Sequence, residues 1–373
     1  LSIEQEMLKS TVHGFLAERC PKTLVSEWQA SEPGYSLELW SEMAGLGWMG
    51  LVIPEEYGGA GMTFLELAVM LEEMGRACLP GPFLSTVVLG GLPVMHFGSV
   101  EQKRSYLPAI ARGELILTLA LAETGNGYDT GSINTVAVAE DDGYTVSGSK
   151  LFVTDAHIAD RMLVLARIEK GAYAYSNTIF IVDAKSRGIS IKMLKTLSGD
   201  KMARVEFDRV RVTGGDILGE IGQGSSYADA IMEWAAVARC CELLGGARQV
   251  LEMTLDYAKT RVQFNRPIGS FQAVQHHLAD MAIDVETSRV ATYRAAWMLC
   301  EGIPCRKEMA MAKAWTTQAY QRIIGLSHQV HGAIAFTTDH DLHFYTRRAR
   351  AGEVNFGDTT FQQEKVAREI GLK

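Results

Sequence analysis

The chain has 373 residues, enough for about two or three domains and a large buried core. Hydrophobic residues make up 47% and charged residues 21%, the balance of an ordinary globular protein. A net charge of −8 with no basic block argues against nucleic acid as the main partner, although a local pocket can still be positive.

From Ser2 to about Arg112 apolar residues recur at helical spacing. Phe64, Leu65, Ala68, Val69 and Leu71 mark one helix, with the acids Glu72 and Glu73 following. Pro54, Gly58-Gly59 and Pro80-Gly81-Pro82 punctuate this region. From about Leu117 the pattern turns short and alternating. Thr135–Val138 and Tyr144–Val146 flank Asp141-Asp142-Gly143, a hairpin signal. Further strands are expected at Met162–Ala166, Thr178–Val182, Ile189–Met193 and Ala203–Val212. Glycines at 214, 215, 219, 222 and 224 close the region. Helical spacing then returns over Ala228–Thr260, Phe271–Glu301 and Arg306–Val330, long helices suited to an antiparallel bundle.

The expected fold is therefore α+β and multidomain. An all-α domain spans residues 1–116, a β-barrel or sandwich domain 117–224, and a helical bundle 225–373. No apolar stretch reaches the roughly 20 residues of a membrane span, and Leu1–Leu8 carries acids where a secretory signal would be apolar. The six cysteines lack C-x-x-C spacing, and a bridge between Cys240 and Cys241 would be strained. Reduced thiols and a cytoplasmic location are the simplest expectation.

Several segments carry more specific information. Leu46-Gly47-Trp48-Met49-Gly50-Leu51 runs into Ile53-Pro54-Glu55-Glu56-Tyr57-Gly58-Gly59. Leu121-Ala122-Glu123-Thr124-Gly125-Asn126-Gly127-Tyr128-Asp129 and Gly148-Ser149-Lys150-Leu151-Phe152-Val153-Thr154 lie in the β region. Arg261-Val262-Gln263-Phe264-Asn265-Arg266-Pro267-Ile268-Gly269 leads to Phe271-Gln272-Ala273-Val274-Gln275, and Gln329-Val330-His331-Gly332-Ala333-Ile334-Ala335-Phe336 follows near the end. In this order the segments resemble the acyl-CoA dehydrogenase family over nearly the whole chain.

The resemblance implies FAD as cofactor. It places Leu121, Phe152 and Thr154 on the flavin side, with Phe152 offering an apolar face and Thr154 a hydroxyl. Arg261 is expected at the flavin pyrophosphate, where a forked, fixed charge is apt. Phe264 and Gln272 are expected along the same dinucleotide, and Gln329 and Gly332 where a neighbouring subunit meets its adenine end. The family's loop threonine and serine are here Ala122 and Tyr128; Tyr128 is the expected substrate contact. Two glycines of the last motif have become Ala333 and Ala335.

The family reaction removes an α-proton and a β-hydride from an acyl-CoA thioester, giving a trans-2-enoyl-CoA, as in fatty-acid β-oxidation. An α-proton beside a thioester calls for a carboxylate base in a dry site. In the commonest subfamily the base is the glutamate of Y-E-G-T. Anchored on Val366-Ala367-Arg368-Glu369, that motif falls on Asn355-Phe356-Gly357-Asp358, so the base position holds Phe356. A second subfamily's glutamate falls near Ala235.

The resemblance implies this α,β-dehydrogenation as the leading function of the chain, and three explanations of the missing base are open. Glu233 is a displaced base, although two residues along a helix rotate a side chain by roughly 200°. Asp358 reaches the site through a different local backbone, or it is the N-cap of a helix over Thr359–Gly371. Or the chain is the base-lacking partner of a hetero-oligomer, resembling the small-subunit branch typified by pimeloyl-CoA dehydrogenase. The implied partners are an acyl-CoA, an electron-transferring flavoprotein, and further subunits in a homo- or hetero-oligomeric dimer or tetramer. A flavin oxidase or monooxygenase is a further option.

The pairs His328-x-x-His331 and His340-x-x-His343 have a spacing that can serve metals, but no cysteine or third histidine pairs with them, and no metal is expected. There is no P-loop and no G-x-S-x-G elbow. Arg347, Arg348 and Arg350 are expected to form ion pairs on a helix face.

Overall fold

The computed structural model describes residues 1–140, 142–170 and 173–372. Helices α1 (Ile3–Arg19), α2 (Lys22–Ala30), α3 (Leu37–Gly45) and α4 (Phe64–Ala77) come first. A π-helical segment, Leu84–Gly91, continues into α5 (Leu92–Phe97) and is followed by α6 (Val100–Ala111). Strands β1 (Leu117–Ala120), β2 (Val136–Glu140), β3 (Gly143–Thr154), β4 (Arg161–Ile168), β5 (Asn177–Asp183), β6 (Ile189–Leu194) and β7 (Met202–Val212) form the middle region. The last region holds α7 (Gly224–Thr260), a short hairpin of β8 (Val262–Gln263) and β9 (Arg266–Pro267), then α8 (Gln272–Cys300), α9 (Arg306–His331), α10 (Leu342–Val354) and α11 (Thr359–Glu369). Helical N- and C-terminal regions thus flank a β domain, in the order that the periodicity predicts.

The chain forms two compact units. One comprises Leu1–Ser26, Thr63–Leu79 and Ala236–Lys373 and is helical apart from the β8–β9 hairpin. Ser2 and Gln5 open α1 with a reciprocal capping box, and Thr63 and Glu66 do the same for α4. Where α4 meets α7, each helix presents a glycine to the other's backbone. A Cβ on Gly75 would lie 2.0 Å from Glu242 O, and one on Gly245 would lie 1.8 Å from Glu72 O. Only glycine permits that approach.

Helix α4 is buried without interruption from Leu67 to Gly75. Glu72 and Glu73, which on local pattern follow the apolar run, lie inside that stretch. Glu72 is tolerated because Lys9 Nζ (2.6 Å), Arg248 Nη1 (2.9 Å) and Tyr293 OH (2.6 Å) all donate to it. Glu73 Oε2 lies 3.0 Å from His13 Nδ1.

The other unit comprises Glu27–Met62 and Pro80–Ala235. Its seven strands form one mixed, curled sheet in the order β1-β4-β2-β3-β7-β6, with β5 on β4. The β2–β3 hairpin is antiparallel, pairing Glu140 with Gly143; Asp141 of the expected turn lies outside the described residues. One face packs Val146, Val153, Met162, Val164, Phe180, Val182, Val205 and Phe207 into a core, each such side chain contributing about 1.5–3 kcal/mol on burial. Among the described residues no helix is long and apolar enough to cross a membrane. All six cysteines are free.

Candidate active site

In the sheet-bearing unit, the loop that starts at Leu121 is fastened to β3. Leu151 N donates to Ala122 O (2.8 Å), and Lys150 Nζ donates to Leu121 O (3.2 Å) and to Glu123 Oε1 (2.7 Å). Glu123 also accepts from the backbone N–H groups of Asn134 (2.7 Å) and Thr135 (3.0 Å). Further along, the loop is tied to the start of α7, where Thr130 Oγ1 donates to Asp229 (2.6 Å), and to the start of β5, where Asn177 Nδ2 donates to the carbonyls of Thr130 and Gly131. Tyr128 is half-buried between these anchors.

Beyond Lys150 the pairing of β3 with β7 slips, resuming at Val153. Phe152, in the bulge, has a left-handed backbone (φ 54°) and a ring that is 60% exposed. A bulge re-aims a side chain out of the ladder, and an aromatic residue there carries strain, which tends to collect at functional sites. Thr154 follows half-buried, its carbonyl accepting from Thr118 Oγ1.

The helical unit holds the second group of expected flavin contacts. Arg261 closes α7 and is exposed, with no carboxylate partner among the described residues. Phe264 and Asn265 form the β8–β9 turn, both with positive φ (53° and 63°). That geometry normally selects glycine or asparagine, yet here it presents a phenyl ring that is 87% exposed. The Phe264 ring meets Phe271 edge-on at 6.0 Å, and the Arg266 guanidinium stacks on Phe271 at 4.0 Å. Gln272 opens α8 and is exposed.

Gln329 is exposed on the last turn of α9, and Gly332 ends that helix at φ 68° and ψ −143°, with nothing within 4 Å of where a Cβ would lie. His331 donates from Nδ1 to Ser327 O (2.9 Å) and stacks on Tyr257 at 4.5 Å. Two more of these histidines are engaged locally: His328 Nε2 bonds Thr346 Oγ1 (3.0 Å), and His340 Nδ1 accepts from Leu342 N (3.2 Å).

Phe356, the residue expected from the sequence at the position of the usual base, lies between α10 and α11. Phe356 is left-handed (φ 59°), Gly357 follows at φ 98°, and the Arg239 guanidinium sits 5.8 Å from the Phe356 ring. Asp358 is the N-cap of α11, its Oδ1 accepting from Phe361 N at 2.8 Å. Glu233 is half-buried on α7, in the sheet-bearing unit, and Ala235 is fully buried. Next to Glu233, Trp234 stacks on Phe97 (5.6 Å), which itself stacks on Tyr227 (4.1 Å).

Sequence reasoning missed two buried lysines. Lys150 and Lys313 each have 0% exposure, and burial lowers the pKa of each to about 8. The available signal was register: Lys313 falls on the buried stripe of α9 with Met309, Thr316 and Tyr320. The expected arginine set on α10 is corrected in part. Arg350 pairs with Glu353 at 3.5 Å, whereas Arg348 donates to the carbonyls of Cys78 and Leu79 just beyond α4. Those carbonyls end a helix and need donors.

A fold of helices, curled sheet and helices, with these loops, defines an acyl-CoA dehydrogenase-like protein, and comparison with known proteins agrees. The acyl-CoA dehydrogenase N-terminal, middle and C-terminal domains match residues 2–114, 118–210 and 222–371. The chain belongs to the acyl-CoA dehydrogenase family, whose members are FAD-dependent oxidoreductases. It is 33% identical to the 3-(aryl)acrylate reductase of Clostridium sporogenes, covering 89% of this chain and 90% of that one. The ChsE4-ChsE5 complex from Mycobacterium tuberculosis is similar at a TM-score of 0.91 and 29% identity, over 100% of this chain and 98% of that one. Butyryl-CoA dehydrogenase from Megasphaera elsdenii is similar at 0.92 and 27%, over 99% and 98%.

Proposed function

We propose that this chain is the base-lacking partner subunit of a hetero-oligomeric, FAD-dependent acyl-CoA dehydrogenase, with little α,β-dehydrogenation of its own. The observation that carries this reading is the phenyl ring of Phe356, held in a left-handed turn beside Arg239, at the position where the sequence resemblance leads one to expect the family's usual carboxylate. A phenyl group cannot take the α-proton, and a neighbouring guanidinium does not replace a base. Similarity to the two-chain ChsE4-ChsE5 complex supports the idea of a homologous partner.

The residues present suit FAD. An exposed aromatic face at Phe152 with the Thr154 hydroxyl near it matches a flavin ring and its polar edge. An exposed Arg261 without a carboxylate partner among the described residues matches a pyrophosphate. Phe264 and Gln272 would line the dinucleotide, Leu121 would support the flavin side, and the open space at Gly332, with Gln329 beside it, would admit another subunit's approach. Bound FAD would accept the hydride, and electrons would leave to an electron-transferring flavoprotein. Tyr128 would meet the acyl-CoA.

A second reading is stand-alone dehydrogenation with Glu233 as base. It is favoured over the same role for Asp358 because the Asp358 carboxylate already caps α11. Anaerobic titration of the purified protein with a panel of acyl-CoAs, watching the flavin's visible absorption, separates the readings. A bound flavin that does not bleach, then bleaches once a base-bearing homologue is added, supports the partner role. Bleaching by one thioester in this chain alone overturns it and sends attention to Glu233→Gln and Asp358→Asn. Rapid peroxide formation on admitting air would instead indicate an oxidase.

A further inference from the structure

We propose that Lys313 is a positioning residue for the turn that carries residue 356: its buried ammonium gathers the carbonyls on both sides of Phe356 and fixes the ring's placement. The proposal concerns the same site and rests on the reading of Phe356 as the occupant of the base position.

The geometry is that of one cation serving a helix end and the turn beyond it. Lys313 Nζ donates to Gly352 O (2.8 Å) and approaches Glu353 O (3.4 Å), both in the last turn of α10. It also donates to Gly357 O (3.1 Å) and to Thr317 Oγ1 (3.2 Å) on its own helix. Carbonyls in a final helical turn lack intrahelical partners, and a cation there also opposes the helix dipole. On the far side of the turn, Gln362 Nε2 donates to Phe356 O (2.9 Å).

Two successive carbonyls, at 356 and 357, are therefore each held by a buried side chain. Holding both fixes the two peptide planes around Gly357, and with them the direction of residue 356. This restraint is needed because a left-handed backbone costs a non-glycine residue about 1–2 kcal/mol. Without it the turn would relax and the ring would leave the Arg239 guanidinium.

The charge state of Lys313 enters directly. An ammonium has three donors and a neutral amine two, so one of its acceptors is released when it titrates. Burial brings that titration down to about 8; Arg239 adds to this, and the Asp358 and Glu353 carboxylates oppose it. The Cys240 thiol is pushed up to about 12 by burial, which separates its titration from that of Lys313.

The test is 19F NMR of the full-length protein grown with 4-fluorophenylalanine. The chain has 13 phenylalanines, and the Phe356 signal is identified by its loss in Phe356→Leu. In the otherwise native protein this signal should move in one step with a midpoint near 8. Lys313→Arg, which keeps a buried cation that does not titrate in this range, should hold the low-pH position throughout. Lys313→Met should shift or split the signal at neutral pH. A step that persists unchanged in Lys313→Arg, or no step in the native protein, overturns the proposal. Both results remain readable if Lys313→Met fails to fold. The acyl-CoA titration above is separate: a Phe356 signal governed by Lys313 in a protein that takes up no flavin would sink the functional reading and leave the positioning role standing.

Discussion

Lys150 Nζ stands 2.7 Å from Glu123 Oε1, with the two side chains only 0% and 4% exposed. This pair joins strand β3 to the loop after β1, two segments that both bear expected flavin contacts. Its value depends on completeness: Glu123 uses both oxygens, and Lys150 also reaches Leu121 O. Lys150→Met leaves a buried carboxylate without its counter-charge and should cost about 3–5 kcal/mol. Urea unfolding measures this directly. Adding Glu123→Gln removes the stranded charge and should recover much of the loss; a double variant as weak as the single one would show that packing, not charge, holds the loop.

The bulge at Phe152 sets stability against ligand binding. Its ring is largely exposed, so truncation removes little burial, while its left-handed backbone is one that glycine adopts freely. Phe152→Gly should leave the apoprotein within about 1 kcal/mol of the parent. Flavin affinity should nevertheless fall at least tenfold, about 1.4 kcal/mol, read by fluorescence as the flavin is titrated in. Unchanged affinity would remove Phe152 from the cofactor site.

The alternation before and after Asp142-Gly143 and the long apolar periods near the C-terminus give the element order, because they depend only on neighbours in the chain. The phenyl at 356 is likewise found by counting. Its left-handed turn and the reach of Lys313 are not, since the contacts to Gly352 and Gly357 span 39 and 44 residues. Glu72 and Glu73 illustrate the same limit: what makes their burial tolerable lies on α1, α7 and α8.

The crossing of α4 and α7 makes a sharper mechanical prediction. A methyl group on Gly245 would stand 1.8 Å from Glu72 O, a backbone atom that cannot move aside alone. Gly245→Ala should therefore destabilise by about 3 kcal/mol or more, the upper range of overpacking. Gly14, exposed within α1 and with nothing within 4 Å of its would-be Cβ, is the matched control. Gly14→Ala should stabilise by roughly 0.5–1 kcal/mol through helix propensity. Thermal unfolding of the pair checks both; equal shifts would deny the close crossing.

The Glu72 cluster should govern the response to acid. Burial alone would raise the Glu72 pKa, but Lys9, Tyr293 and Arg248 outweigh it and hold the group below its ordinary 4.5. Between the lowered folded value and 4.5 the unfolded chain binds more protons, so stability rises with pH in that window. The contribution is complete above 4.5 and is lost as the pH falls through the folded value. Tyr293 remains a donor throughout, because burial and the adjacent Glu72 charge raise its own pKa.

Tyr293→Phe removes one hydrogen bond to a charged group, worth about 1.5–3 kcal/mol at neutral pH. It should also move the acid loss to higher pH, because the remaining donors hold the Glu72 charge less firmly. Urea midpoints measured at several pH values from 7 down to 3.5 would show both effects. A Tyr293→Phe curve running parallel to the parent at every pH would mean that the phenol packs against Glu72 without setting its protonation.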